Sequence, residues 1–429
     1  GDLPPAPAAR PGPGGLSARR ITVRRVSSSG RVDASAYHRV VADRLRALEP
    51  GSWSAFGEPA AARARDLHAD LLRSAHRLDP VAHPGVTRAA AQAAAALGVT
   101  VPVSVYRLDG GGAADAILAR VPDEAVVALP ATLLGLLTPA ELTAVLGHEL
   151  ALHALWTRDD GVLLVADRLL DALALDARTP PVYHETARRW GLATVLAADR
   201  GALLACGDVR TAVAALLKTA TGFATADPDA CLAQAAAIDP AGGVAAGRAH
   251  PETVLRAWAL QQHAAGSDER VGTLLGGGLD LEALDLVDRD RLETLTRRIV
   301  EAMISPPGMR TAAVLAHARQ FFPDVAPTAG AQATFTLPAG ATAATRRYLA
   351  YVLLDLATVD PGLGEAGLLA ALTLAARIGL GDAAAEAVAR ERLVTAATLA
   401  SLVRTADAAA DGDPGARVAG RPRSEEPAR

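Results

Sequence analysis

The stretch LTPAELTAVLGHELALHALW, residues 137–156, decides how the chain is interpreted. Thr138 and Glu141 have the spacing of a capping box, and Pro139 lies at the first helical position, so a helix is predicted to begin there. The apolar residues that follow continue this helix past residue 150. It carries three side chains with chemical potential, which are His148, Glu149 and His153.

The spacing of these side chains matters for metal binding. Zinc peptidases use HExxH on a helix, because positions i and i+4 differ by only about 40° and both imidazoles then reach one ion. The Glu between them deprotonates the zinc-bound water. Here Leu152 lies at i+4 from His148, and His153 is about 140° away around the helix. A regular helix therefore keeps His148 and His153 from clasping one metal.

Four segments in order resemble one family. LTPAELTAVLGHEL resembles the metal helix of the HtpX-like family of zinc metallopeptidases, gluzincins that include the CAAX prenyl proteases. TVLAADRGALLACGD (194–208) resembles its second metal helix, and AHPETVLRAWAL (249–260) resembles its His-Pro motif with Arg256 in the helix behind. GGGAADAILARVPDEAVVALPATLL (110–134) resembles its edge strand, on which an extended substrate docks. Together the four segments indicate membership of this family.

The resemblance implies a dismantled zinc site. His148 remains as a ligand position, while Leu152 and Val195 stand where the family has its other two ligands. Asp199 matches the residue that holds a zinc-bound histidine through a hydrogen bond. The paired aliphatic replacements fill the vacated space favourably, whereas an unpaired carboxylate there would be costly. Glu149 and His250 are the vestigial catalytic residues that the resemblance implies.

A second arrangement of ligands stays open. Glu149 and His153 are themselves i and i+4, so with Asp199 they form a possible site of one histidine and two carboxylates. This arrangement requires the helix to rotate against its own apolar pattern. We expect no cofactor if the site is impaired, and zinc if the protein is an active peptidase.

The predicted fold is α+β and predominantly helical, with a metallopeptidase-like domain whose small sheet packs on the active-site helices. VPVSVYRL (101–108) reads as a strand, and AILARV with AVVALP reads as a hairpin. The expected substrate or partner edge is formed by Asp115, Ala116 and Ile117. A helical C-terminal domain, 344–405, faintly resembles the TerB-like helical domain of tellurite-resistance proteins. The remaining predicted boundaries are a tail at 1–34, the metallopeptidase-like domain at 35–321, a linker at 322–343 and a tail at 406–429.

Composition limits the partners. The formal net charge is −4, and no basic stripe with aromatic residues supports nucleic-acid binding. No run of about 18 uncharged apolar residues suggests a membrane span. Cys206 and Cys231 fit no disulfide framework and are expected to be free thiols, so a cytoplasmic location is expected.

Three functions remain after these observations. The first is a pseudopeptidase that binds a peptide or protein partner in the former substrate cleft. The second is an active zinc endopeptidase with a relocated or incomplete metal site. The third is a scaffold that acts through its C-terminal helical domain. A bound metal separates the second from the others, and a partner segment along the edge at 113–129 separates the first from the third.

Overall fold

The computed structural model describes residues 32, 34–57, 69, 72–108, 116–121, 123–238, 252–275, 278–327, 335–338 and 340–411. Most of these residues form helices, and a small sheet lies near the start of the chain. The prediction of a predominantly helical α+β chain is confirmed at this level. Two residues of the predicted site, Asp115 and His250, lie outside the described residues.

The sheet has the strand order β1-β2-β4-β3, with β1 at Ala75–Arg77, β2 at Val103–Leu108, β3 at Ile117–Val121 and β4 at Glu124–Pro130. The predicted hairpin is the antiparallel pair β3–β4. β2 and β4 pair in parallel at the centre. Because neighbouring residues of a strand point to opposite faces, Val105 and Val127 enter the main core, while Tyr106 and Val126 pack on the outer face.

The helices before residue 280 surround two adjoining cores. They are α1 (Ala36–Leu48), α2 (Pro50–Gly57), α3 (Pro84–Leu97), α4 (Ala131–Leu136), α5 (Pro139–Thr157), α6 (Val162–Leu175), α7 (Pro181–Cys206), α8 (Val209–Thr221), α9 (Pro228–Ala237), α10 (Thr253–Ala264) and α11 (Asp268–Leu275). One core joins the inner face of the sheet to α1–α3 and α5–α7. The other lies among α7–α11. Helix α7 therefore contributes to both.

Helices α5 and α7 approach closely through small residues. A Cβ atom on Gly147 would lie 2.4 Å from the Cβ of Ala205, and one on Gly201 would lie 2.3 Å from the Cβ of Ala151. Both distances are too short for any side chain larger than hydrogen, so glycine is required at these two positions. Position 147 meets 205 while position 151 meets 201, so the two helices are antiparallel. The two segments that resemble the family's metal helices therefore lie on helices that pack together.

The C-terminal helices are α12 (Leu286–Ile304), α13 (Ala312–Phe321), α14 (Ala343–Thr358), α15 (Gly364–Ile378), α16 (Gly381–Arg390) and α17 (Ala396–Asp411). Their common core extends from Leu279 to Ala406 and includes Phe322, Val325 and Ala341. It therefore gathers side chains from both sides of the predicted linker at 322–343. Helix α17 also continues to Asp411, beyond the predicted start of the C-terminal tail at 406.

Helix α12 connects the cores. Leu286, in its first turn, packs in the sheet-associated core, whereas Ile299 and Val300 pack in the C-terminal core. Cys206 and Cys231 are free thiols, as expected from the sequence. Within the part of the chain that the structure describes, none of the helices combines the length and apolarity needed to cross a bilayer.

Candidate functional site

Local sequence signals place the start of α5. The Thr138 side chain accepts a hydrogen bond from the backbone N–H of Glu141, and the Glu141 carboxylate accepts one from Thr138. Lys218 of α8 binds the same carboxylate at 2.8 Å. Burial alone would raise the pKa of Glu141, but Lys218 and Thr138 lower it below its usual value. The capped start thus holds α5 against α8 and sets the direction of His148, farther along the helix.

The side chains of α5 and α7 meet at two further levels. His148 Nδ1 lies 3.0 Å from Asp199 Oδ1. Farther along α5, the ring of Trp156 stacks on that of Trp190 with 6.3 Å between centroids. The predicted proximity of Asp199 to His148 is confirmed by this geometry. The assignment of the pair to a former zinc site remains a prediction.

The antiparallel register of α5 and α7 also places Leu152 and Val195 relative to each other. Leu152 lies one turn after His148, and Val195 lies about one turn before Asp199 on the antiparallel helix. Both fall between the His148–Asp199 level and the tryptophan pair, on facing turns. Both are half-buried, and Leu152 packs against the sheet-associated core. The register is therefore consistent with the predicted juxtaposition of Leu152 and Val195.

Asp199 is the centre of the polar cluster, which we call the Asp199 cluster and define as His148, Asp199 and Arg256. Arg256, on α10, donates from Nε to one carboxylate oxygen at 2.8 Å and from Nη2 to the other at 2.7 Å. Asp199 itself is buried. Burial would raise the pKa of its carboxyl, but the Arg256 charge and hydrogen bonds, helped by His148, hold that pKa well below its usual range.

The residues at this position do not fit a zinc ion. Zinc sites need three or four protein ligands with nitrogen, sulfur or oxygen donors. Leu152 and Val195 have hydrocarbon side chains, and both oxygens of Asp199 are already held by Arg256 and His148. Among the described residues of the cluster, His148 supplies the imidazole, and its Nδ1 is engaged by Asp199. The cluster therefore acts as a fixed set of charged hydrogen bonds that links α5, α7 and α10.

The alternative ligand set is not assembled either. Within the described residues, which include Glu149, His153 and Asp199, no group of three His, Cys, Asp or Glu side chains is arranged to hold a metal. His153 is buried, and its Nδ1 has no hydrogen-bond partner there. Burial lowers the pKa of His153. Its imidazole therefore behaves as a neutral core side chain on a different face of α5 from His148.

The predicted partner edge lies on the outer side of the sheet. β3 pairs with β4, and in the described part of the chain no strand pairs with its other side. Helix α5 packs beside β3. Ala116, just before β3, packs against the sheet-associated core. The backbone of Ile117 begins the strand.

A second charged cluster, the Arg189 cluster, was missed from the sequence. We define it as Tyr37, Glu185, Arg189, Asp285 and Asp288. Arg189 makes ion pairs with all three carboxylates, and Tyr37 donates to Asp285 at 2.7 Å. Asp285 also caps α12, because its side chain accepts from the N–H of Asp288. The cluster fastens α1 and α7 to the start of α12.

Sequence signals for these clusters exist but are weak. Glu185 and Arg189 have the i,i+4 spacing of a helical ion pair, which is usually a surface feature. The sequence resemblance places Arg256 in the helix behind the His-Pro motif but offers no ion-pair partner for it. A buried aspartate such as Asp199 needs a cationic partner once metal ligands are missing, but this need alone does not identify Arg256. Comparison of the chain with protein-family models, curated proteins and solved structures finds no match.

Proposed function

We propose that this chain is a catalytically impaired homologue of the zinc metallopeptidases that binds an extended segment of a protein partner along β3. The observation that carries the proposal is the position of β3, which is an outer strand of the sheet beside α5. An outer strand offers backbone N–H and C=O groups to an added strand, and strand addition needs no metal.

The Asp199 cluster supports the loss of catalysis in this proposal. An enzyme of this class needs an open metal position beside its general base. Here Arg256 occupies the carboxylate of Asp199, and two aliphatic side chains replace the ligands that the family resemblance implies. Glu149 then has no metal-bound water to deprotonate. In this proposal the helices keep their arrangement, and only the catalytic activity is lost.

The edge is tested with Ile117→Pro in the full-length chain. Proline removes a backbone N–H and is tolerated at sheet edges, so the fold is expected to persist. Peptides selected for binding to the unaltered protein from a random library are then measured by fluorescence anisotropy. We expect at least about tenfold weaker binding to Ile117→Pro, in keeping with the loss of strand pairing and local geometry.

Ile117→Ala is the matched control, because it shortens the side chain and retains the N–H. It is expected to bind selected peptides nearly as well as the unaltered chain. Equal binding by all three proteins would contradict the β3 site. If cross-linked peptides then map to 343–411, the scaffold function through the C-terminal helices is favoured instead.

The family interpretation is tested by restoring the two ligands. The double variant Leu152→His with Val195→Glu should bind about one zinc per chain, since three ligands would then lie on facing turns. Leu152→His with Val195→Gln is the matched control and should bind zinc far more weakly. Elemental analysis after gel filtration measures the ratio. About one zinc per chain in the unaltered protein, removable by chelator with loss of stability, would favour the active peptidase instead.

A further inference from the structure

In the described part of the chain, the sheet has a second open edge, on the β1 side. β1 is short and pairs only with Tyr106–Leu108 of β2. One further backbone bond, from Leu78 N–H to the Val105 carbonyl at 2.9 Å, ends this pairing. The chain then turns away, because the Asp79 side chain accepts from the N–H groups of Val81 and Ala82. Among the residues that the structure describes, no strand therefore pairs with the first half of β2 on this side.

Backbone groups remain available along this uncovered part. In an antiparallel pair, residues two apart direct their backbone groups to the same edge, so Val103 faces the same way as Val105. Extending the β1–β2 register by two residues beyond Leu78 brings Pro80 opposite Val103, and proline has no N–H to donate. Among the described residues, no backbone hydrogen bond to Val103 is found on this side.

A cavity of about 270 Å³ adjoins this edge, between β2 and α3. Its apolar side chains include those of Val86, Ala90, Ala94, Val103 and Val105, and Arg77 and Ser104 also line it. This volume is just below the range of small-ligand pockets and accommodates one aliphatic side chain with room to spare. The inner face of the edge thus favours a residue such as valine or leucine.

The outer face of the same edge is polar and carries the guanidinium of Arg77. Arg77 is opposite Tyr106, so its side chain lies on the outer face, where Ser104 also lies. Arg77 Nη2 donates to Ser104 Oγ at 2.8 Å, and Ser104 in turn donates to Glu124. Glu124 thus bonds the hydroxyl, and no ion pair of Arg77 is found among the described residues. The guanidinium is held by this hydrogen bond, has further N–H donors, and belongs to an exposed side chain.

We infer that this edge of β2 is a second binding site, for an extended acidic peptide in which an aliphatic residue is followed by glutamate. Adjacent residues of an added strand point to opposite faces, so the aliphatic side chain enters the cavity while the carboxylate meets Arg77. The backbone N–H and C=O groups of Val103 then pair with the backbone of the added strand. This site is independent of the one at β3, which lies at the other end of the sheet.

The test uses two labelled probes, acetyl-Ser-Val-Glu-Val-Ser-amide and the same peptide with Gln in place of Glu, with full-length protein. Because Arg77 is exposed, we expect the Glu probe to bind about fivefold more tightly. Arg77→Gln should remove this preference, and Ala94→Leu, which fills the cavity, should weaken both probes. Arg88→Gln is the charge-matched control on α3, outside the cavity lining, and should change neither affinity.

Ile117→Pro separates the two edges and should leave both probe affinities unchanged. The proposal is overturned if neither probe binds at millimolar concentration, or if the Glu preference survives in Arg77→Gln. It is also overturned if Arg88→Gln removes the preference equally, or if Ile117→Pro abolishes binding. The last result would assign the probe to β3, whereas failure of the β3 proposal alone leaves every expectation for Arg77 intact.

Discussion

Helix α7 carries a charged cluster toward each end, and the two clusters balance their charges in opposite ways. In the Asp199 cluster, one buried carboxylate is held between a guanidinium and an imidazole. In the Arg189 cluster, one guanidinium serves three carboxylates. The first arrangement lowers the pKa of its carboxyl, whereas burial raises the pKa of Asp288 in the second despite Arg189. Folding therefore favours the charged form of Asp199 and the protonated form of Asp288.

The clusters also join different parts of the molecule. The Asp199 cluster links α5, α7 and α10 within the N-terminal part, where the resemblance places the cleft. The Arg189 cluster links α7 to α12, which continues into the C-terminal core. The Asp199 cluster therefore joins helices within the N-terminal part only, while the Arg189 cluster fastens the two parts of the chain together.

The largest effect is expected from Arg189→Leu. Removing this guanidinium leaves Asp285 and Asp288 buried together without their main cation, so the free energy of unfolding should fall by about 5 kcal/mol. Chemical denaturation monitored by circular dichroism measures it. Arg189→Lys, which keeps the charge but not the forked geometry, should lose distinctly less.

Arg256→Leu should lose less, about 3 kcal/mol, because Asp199 is then the only carboxylate stranded and His148 still contacts it. The same denaturation assay applies. Adding Asp199→Leu to this variant should recover part of the loss, since an unpaired buried charge is removed. If Arg256→Leu lowers the free energy of unfolding as much as Arg189→Leu or more, the proposed difference between the clusters is contradicted.

His38 of α1 contacts Thr194 of α7, between the two clusters. Its titration makes the stability of this part of α7 depend on pH. Burial lowers the pKa of His38 to about 4. An unfolded histidine takes up its proton near pH 6.5, so the unfolded state binds protons first as pH falls. Stability from this group is complete above pH 6.5 and should fall by roughly 3 kcal/mol on approaching pH 4.

His38→Asn is the matched variant for this pH effect. The difference in unfolding free energy between the variant and the unaltered chain is measured at several pH values in this window. It should shrink as pH falls, because asparagine does not titrate. A difference that stays constant from pH 7 to pH 4 would show that His38 protonates equally in the folded and unfolded states.

The smallest effect is expected from Asp288→Asn at neutral pH, within about 1 kcal/mol of the unaltered chain. The raised pKa of Asp288 means that folding favours its protonated form, so its contribution declines as pH rises through the folded pKa. Asp199→Asn should cost more at neutral pH, and its cost should decline once pH falls below the usual pKa of aspartate and disappear only below the depressed folded pKa. Equal costs for the two variants at pH 7 would contradict the comparison.

Much of the local structure around the site was predictable. The Thr138–Glu141 capping box, the strand ending at Leu108 and the β3–β4 hairpin follow from neighbouring residues, whose preferences act over a few positions. The partner of Asp199 was not predictable in this way, because Arg256 is 57 residues away along the chain. The C-terminal core likewise gathers side chains from both sides of residue 322, and such long-range packing is not visible in local patterns.

The sequence by itself determined where α5 begins, that His148 and His153 lie on different faces, and that hydrocarbon stands at positions 152 and 195. These are properties of helix periodicity and side-chain chemistry, which need no knowledge of the fold. Only the tertiary structure decided that α5 and α7 meet antiparallel at Gly147 and Gly201, and which cation neutralises Asp199. Among the described residues, it also left β1 and β3 as the two edge strands of the sheet. Such outcomes depend on close packing and burial among distant segments, where alternatives differ by a few kcal/mol that local patterns do not encode.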